Sequence, residues 1–286
     1  MTASETDHPS QPVIASTDLA FFADILCAID GGPESLAAVE QATALAGPHG
    51  HVTLLLVTSF RFSGDHRSPA IGPTRAKRIL DRAVGIVRSA HVSHAVEVDP
   101  ASPRSGVILD WTNGRDLLAI GAPATSWFES MFSGGVVASA ERRLMTPLLI
   151  ARSSRQRDKP RILVASDGLG ESDRLVELAG SLARAQGAEV MLVHATGSGS
   201  ASRRRRVAEQ AHRLELAHGD ASEFHLAAGS ARTAIVEQAH ALDASLVLMS
   251  SRRLRGVREI GSVSRRVVHE GPCSVLLVPP ERLAPG

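Results

Sequence analysis

The stretches "ADILCAIDGGPESLAAVEQATALA", Ala23 to Ala46, and "PRILVASDGLGESDRLVELAGSLA", Pro160 to Ala183, decide the fold of this 286-residue chain. Each runs from an apolar strand through an Asp-Gly turn and a Glu-Ser pair into a helical pattern. The two aspartates, Asp30 and Asp167, are 137 positions apart. The correspondence continues in order: "DLLAIGAPA" at Asp116 answers "ASLVLMSSR" at Ala244, and "TPLLIAR" at Thr146 answers "CSVLLVP" at Cys273. The chain is therefore two copies of one domain.

Each copy alternates short apolar runs with helical segments. The runs are Ile25–Ile29, Val52–Val57, Leu117–Ile120 and Leu148–Ile150, then Ile162–Ala165, Val190–Val193, Leu246–Met249 and Val275–Val278. Unbroken apolar runs of this length suit strands buried on both faces. Between them, Leu175, Leu178, Ala179 and Leu182 recur at the spacing of one helix face. Strands alternating with helices predict βαβ units and a parallel sheet. "EVDPAS" and "HLAAGS" mark a third strand in each copy.

Residues 20–152 and 160–280 are thus read as two domains, with a polar linker closed by Pro160 at 153–159. Residues 1–19 read as a disordered tail and 281–286 as a C-terminal tail.

Composition narrows the function. Hydrophobic residues are 43% and charged residues 21%, which is globular. Aromatics are only 3%, so stacking platforms for single-stranded nucleic acid are scarce. A formal charge of +1 gives no global attraction to nucleic acid or an anionic membrane. The two cysteines, Cys27 and Cys273, sit in apolar segments and read as buried thiols. No HExxH, metal-ligand spacing or G-x-S-x-G elbow occurs. No signal peptide or membrane span is apparent, so the expected location is the cytoplasm.

Open parallel sheets bind ligands beyond the carboxyl ends of their strands. Three turns per copy end there. The first carries Asp30 or Asp167, whose carboxylate could accept from a ribose hydroxyl or an adenine amine, or could simply cap the next helix. The second ends strand two, at Val57 or Ala195, where backbone groups could meet an adenine ring. The third, in the first copy, is "GAPATSWFESMFSGGVVASAERRL", from Gly121 through Ala124 to Gly134 and Gly135. Its glycines and a following helix start suit a phosphate. In the second copy the same place reads "LMSSRRLRGVREIGSVSRR", with Ser250, Arg253, Gly261 and Ser262. The run Arg203–Arg206 could touch nucleic acid or an acidic partner, but Val207, Leu214 and Leu216 suggest a surface helix, and the run is read as its solvated start. His194 is read as packed, and Ser35 and Ser172 as first-turn helix residues.

Together these residues resemble the universal stress protein family. Its signature is Gly-x-x-Gly, nine residues, then Gly-Ser or Gly-Thr, with a strand-one Asp and a closing apolar strand. "GSVSRRVVHEGPCSVLLV", Gly261 to Val278, is similar to that signature, as are "DILCAIDGGPES" and "LLAIGAPA" in the first copy. The resemblance spans about residues 20–280 as a tandem pair. It implies two five-stranded parallel α/β sandwiches of strand order 3-2-1-4-5, paired through their closing strands. It further implies a non-enzymatic stress-response role, with ATP and Mg²⁺ as the cofactor in members that bind it. Carried over, the nucleoside residues are Asp30 and Val57, or Asp167 and Ala195. The phosphate residues are Gly121, Ala124, Gly134 and Gly135, or Ser250, Arg253, Gly261 and Ser262.

Both copies depart from the signature. The first keeps the nine-residue spacing but has Ala124 for the second glycine and Gly135 for the hydroxyl residue. The second keeps Gly261-Ser262 but has Ser250 and Arg253 for the early glycines and a loop two residues shorter. Two other functions stay open: a nucleotide-independent protein-interaction module, and an ATP-hydrolysing enzyme, since "DGGPES" resembles the phosphate loop of ATP pyrophosphatases. A homodimer of tandem chains and an external protein partner also stay open.

Overall fold

The computed structural model describes residues 22–58, 60–63, 66–69, 71–101, 104–122, 146–153, 159–196, 201–218, 223–250 and 262–283. The first copy holds β1 (Asp24–Ile29), α1 (Pro33–Ala46), β2 (His51–Val57), β3 (Phe60–Ser63), β4 (His66–Pro69), α2 (Pro73–Ser89), β5 (Ser93–Asp99), α3 (Arg104–Trp111), β6 (Leu117–Gly121) and β7 (Leu148–Ala151). The second holds β8 (Arg161–Ala165), α4 (Glu171–Gln186), β9 (Glu189–Ala195), α5 (Ala201–His218), β10 (Glu223–Ala227), α6 (Ala231–Ala241), β11 (Leu246–Ser250), α7 (Ser262–Glu270), β12 (Ser274–Val278) and α8 (Pro280–Leu283). The β3–β4 pair is a separate two-stranded antiparallel hairpin, which sequence reading did not anticipate.

All other strands join one ten-stranded sheet of order β10-β9-β8-β11-β12-β7-β6-β1-β2-β5. Within each copy this is 3-2-1-4-5, and every pairing inside a copy is parallel. The seam is the one antiparallel pairing of the sheet, β12 against β7, so the closing strands do pair the copies. At its middle Leu276 faces Leu149, its own counterpart in the repeat, which places a pseudo-two-fold axis there.

Alternating side chains explain the two-sided burial. Ile25, Cys27, Val52, Leu54, Leu56 and Leu149 enter one core under α1, α2, α4 and α5. Leu26, Leu55, Leu118, Ile120, Leu148 and Ile150 enter the other, under α3, α6 and α7. Both cores run across the seam, since each also contains second-copy strand residues. The outermost strands differ. On β5, Val96 and Val98 are exposed, and on β10, Leu226 is. This is why the third strands begin earlier than "EVDPAS" and "HLAAGS" suggest: an edge strand mixes polar residues into its run and loses the unbroken apolar signal.

Pro280–Leu283, at the end of the second domain and the start of the C-terminal tail, form the short helix α8. Leu216 is 72% exposed, while Val207 and Leu214 are buried, because seven residues separate the latter two on α5 and Leu216 falls off that stripe. Residues 1–19 and most of the linker lie outside the described residues. Among the described residues, no helix is long and apolar enough to cross a membrane.

Candidate functional site

Strand register brings the expected residues to matching places. In the first copy Ile29 lies opposite Leu56, and Val57 opposite Asp99; Gly121 lies opposite Ala151. Asp30, Val57 and Gly121 therefore sit at the carboxyl ends of three adjacent strands. In the second copy Ile162 pairs with Val190 and Leu246, as Ile25 pairs with Val52 and Leu117. Equal offsets from these pairs make Asp167, Ala195 and Ser250 the counterparts of Asp30, Val57 and Gly121. Ser262 begins α7, as expected of a residue at a helix start. Ala124, Gly134, Gly135, Arg253 and Gly261 lie outside the described residues.

The first turn is built by its backbone. Gly31 has φ +84°, and a Cβ there would lie 2.5 Å from Ile79 Cγ1 on α2. Glycine is required on both counts. Asp30 does not cap α1: the N-cap is Gly32, and Asp30 Oδ1 accepts from the Gly32 N–H at 2.8 Å. This is an Asx turn. The Ser35 hydroxyl oxygen accepts from the backbone N–H groups of Asp30 at 3.4 Å and Gly31 at 3.1 Å, while donating to the Gly32 carbonyl at 3.0 Å. The other Asp30 oxygen meets no donor among the described residues, and the side chain is exposed.

Gly121 has a packing reason of its own. A Cβ there would lie 2.6 Å from Glu34 C and Ser35 N, so this glycine lets the first turn of α1 close onto β6. The sequence assigned it only to phosphate approach.

The second turn is closed. Gly168 has φ +70°, and a Cβ on it would lie 2.7 Å from the Arg203 carbonyl, so the backbone of α5 lies against this turn. Asp167 Oδ1 accepts from the Leu169 N–H at 2.9 Å and from the Ser172 hydroxyl at 2.8 Å. Beneath it runs a polar network that sequence reading missed. His194, 3% exposed, donates from Nδ1 to the Ser166 carbonyl at 2.9 Å. Ser166 donates to Gln210 Oε1 at 2.6 Å, and Gln210 donates to Asp173 Oδ1 at 2.6 Å. Arg206 and Arg213 reach Asp173 at 3.1 and 2.8 Å. Burial alone would raise the Asp173 carboxyl, but hydrogen bonds from Gln210 and Arg206 and the charges of Arg213 and Arg206 outweigh it and hold it below its ordinary value. In the first copy, Ile29 and Leu56 stand where Ser166 and His194 do, and both are buried apolar residues.

The Arg203–Arg206 run therefore starts α5 as expected. Arg206 is committed to Asp173, and Arg205 pairs with Glu209 at 3.3 Å. Cys27 and Cys273 are buried and unlinked. Among the described residues, no group of three or more His, Cys, Asp or Glu could hold a metal ion.

A 3-2-1-4-5 parallel sheet, written twice and joined edge to edge, defines a tandem α/β sandwich with a candidate ligand rim on each copy. Residues 160–279 match the universal stress protein family, and the chain carries a domain of that family there. Among solved structures, a universal stress protein from Archaeoglobus fulgidus DSM 4304 is 20% identical, covers 92% of this chain and 98% of that chain, and superposes with a TM-score of 0.64. A structure from Pseudomonas aeruginosa UCBPP-PA14 is 19% identical, covers 92% of this chain and 95% of that chain, with a TM-score of 0.61. At these identities the likeness is one of fold, and it spans both copies. No curated protein matches the chain.

Proposed function

We propose that the chain is a non-enzymatic stress-response protein that binds an adenine nucleotide, ATP with Mg²⁺ foremost, in its first copy. The observation that carries this reading is the contrast between the two aspartates. Asp30 is exposed at the carboxyl end of the sheet with one oxygen free to accept from a ribose hydroxyl or an adenine amine. Asp167 is engaged by Leu169 and Ser172 under a turn that α5 covers. The backbone at Val57 stands beside Asp30 on the same rim. The phosphates are assigned to the stretch from Gly121 through Ala124 to Gly134 and Gly135, which keeps the nine-residue spacing. The second copy's set, Asp167, Ala195, Ser250, Arg253, Gly261 and Ser262, is assigned no nucleotide.

The test is to denature the purified protein, identify released nucleotides by mass spectrometry, and titrate MgATP by calorimetry. The expected result is about one site per chain, lost in Asp30→Ala and kept in Asp167→Ala. Loss in Asp167→Ala with retention in Asp30→Ala would reverse the assignment, and no binding at millimolar MgATP would remove it. A second reading, a protein-interaction module, draws on one observation: Val96, Val98 and Leu226 are 40%, 49% and 53% exposed on the two free edge strands. A tight protein partner without any nucleotide would favour it.

A further inference from the structure

We infer that Arg152 and Ser153 form a clasp through which the second copy sets the stability of the first copy's Asp30 turn. The segment follows β7 directly, so it leaves the seam between the copies. On the second-copy side, the Arg152 N–H donates to the Ser274 hydroxyl at 3.0 Å, and the Arg152 guanidinium donates to the Val268 carbonyl on α7 at 2.7 Å. On the first-copy side, Ser153 donates to Glu34 Oε2 from its backbone N–H and from its hydroxyl, the latter at 2.8 Å. Gln41, further along α1, donates to the Arg152 carbonyl at 3.3 Å.

Glu34 belongs to the first turn of α1. Its neighbour Ser35 holds the backbone of Asp30, Gly31 and Gly32, and both lie against Gly121. Hydrogen bonds, joined through the chain at Arg152–Ser153 and at Glu34–Ser35, therefore connect α7 and β12 of the second copy to the Asp30 turn of the first.

The clasp is one-sided. In the repeat, Pro279 and Pro280 stand where Arg152 and Ser153 do. Proline has no N–H to donate, so Glu171, the counterpart of Glu34, gains no equivalent hold. The clasp also leaves one donor unused. Arg152 Nε is buried with no hydrogen-bond partner among the described residues, and an unmade bond of that kind opposes the closed arrangement. By linkage, what tightens the Asp30 turn tightens the seam, and the reverse. The consequence for nucleotide affinity rests on the reading above; the coupling itself does not.

The experiment is amide hydrogen exchange on the full chain, wild type against Ser274→Ala and Glu34→Ala. Ser274→Ala, in the second copy, is expected to speed exchange of residues 31–36 about fivefold or more, and Glu34→Ala to do the same to residues 267–271. Exchange in Leu54–Leu56 and Leu163–Val164 should stay unchanged. Acceleration confined to the mutated copy would overturn the coupling. Should Ser274→Ala loosen the core strands as well, the exposed Ser153→Pro takes its place: acceleration at both segments supports the clasp, and at 31–36 alone overturns it. Wild-type protein that binds no MgATP would sink the nucleotide reading and leave the exchange result standing.

Discussion

A hydroxyl in the first turn of a helix can accept from the backbone of the turn before it or donate to a carboxylate there. Ser35 does the first and Ser172 the second, from the same place in the repeat. The sequence shows an identical Asp-Gly…Glu-Ser pattern twice, so it could not reveal which carboxylate is free; that depends on which way the serine hydroxyl turns. Gly121 leads to a direct expectation. Gly121→Ala pushes a methyl into the backbone of α1 and should cost about 1–3 kcal/mol, read as a lower denaturant midpoint at unchanged slope. Its counterpart Ser250 already carries a side chain, and its hydroxyl is buried with no hydrogen-bond partner among the described residues. Ser250→Ala should therefore leave stability unchanged or raise it by up to about 1 kcal/mol in the same measurement. Cys27, whose thiol burial pushes up to about 12, should resist alkylation at pH 8 in the folded protein and react once it is unfolded.

At the scale of elements, α4 and α5 are held by Asp173, which Gln210, Arg206 and Arg213 all reach. Because its folded carboxyl sits below the ordinary value, its contribution is fully present above the unfolded value of about 4 and is lost as pH falls through the folded value. Acid unfolding followed by circular dichroism should lose part of its low-pH slope in Asp173→Asn. That variant should also be less stable at neutral pH; equal stability at every pH would show that Asp173 does not hold the two helices. Beyond the packing of His194, none of this was legible beforehand. Ser166, Asp173, His194 and Gln210 come from four separate segments, and each alone is an ordinary polar residue. The buried strands were legible because burial on both faces leaves an unbroken apolar run. The β3–β4 hairpin was not, since its strands are four residues each and the second ends in Pro69.

The molecule as a whole is two parallel sheets made into one by a single antiparallel pairing. Within each copy the five-strand order was implied by the family resemblance, the β3–β4 pair was not, and the seam was expected from the closing strands. The direction of the clasp was not, because it depends on two residues at the end of β7 whose counterparts are prolines. Leu276 lies opposite its own counterpart, so a second copy expressed alone has a self-complementary edge. Residues 160–286 should sediment as a dimer, and Leu276→Lys should make them monomeric; a wild-type monomer would show that β12 does not pair with itself. The same seam sets a condition on the chain while it is being made. Val278 is 127 positions beyond Ala151. At about 5–20 residues per second, the apolar edge Leu148–Ala151 waits roughly 6–25 seconds for its partner to leave the ribosome. Nascent chains close together on one message carry identical open edges during that interval. Crowded synthesis is then a condition under which this fold is exposed to pairing with the wrong copy of itself.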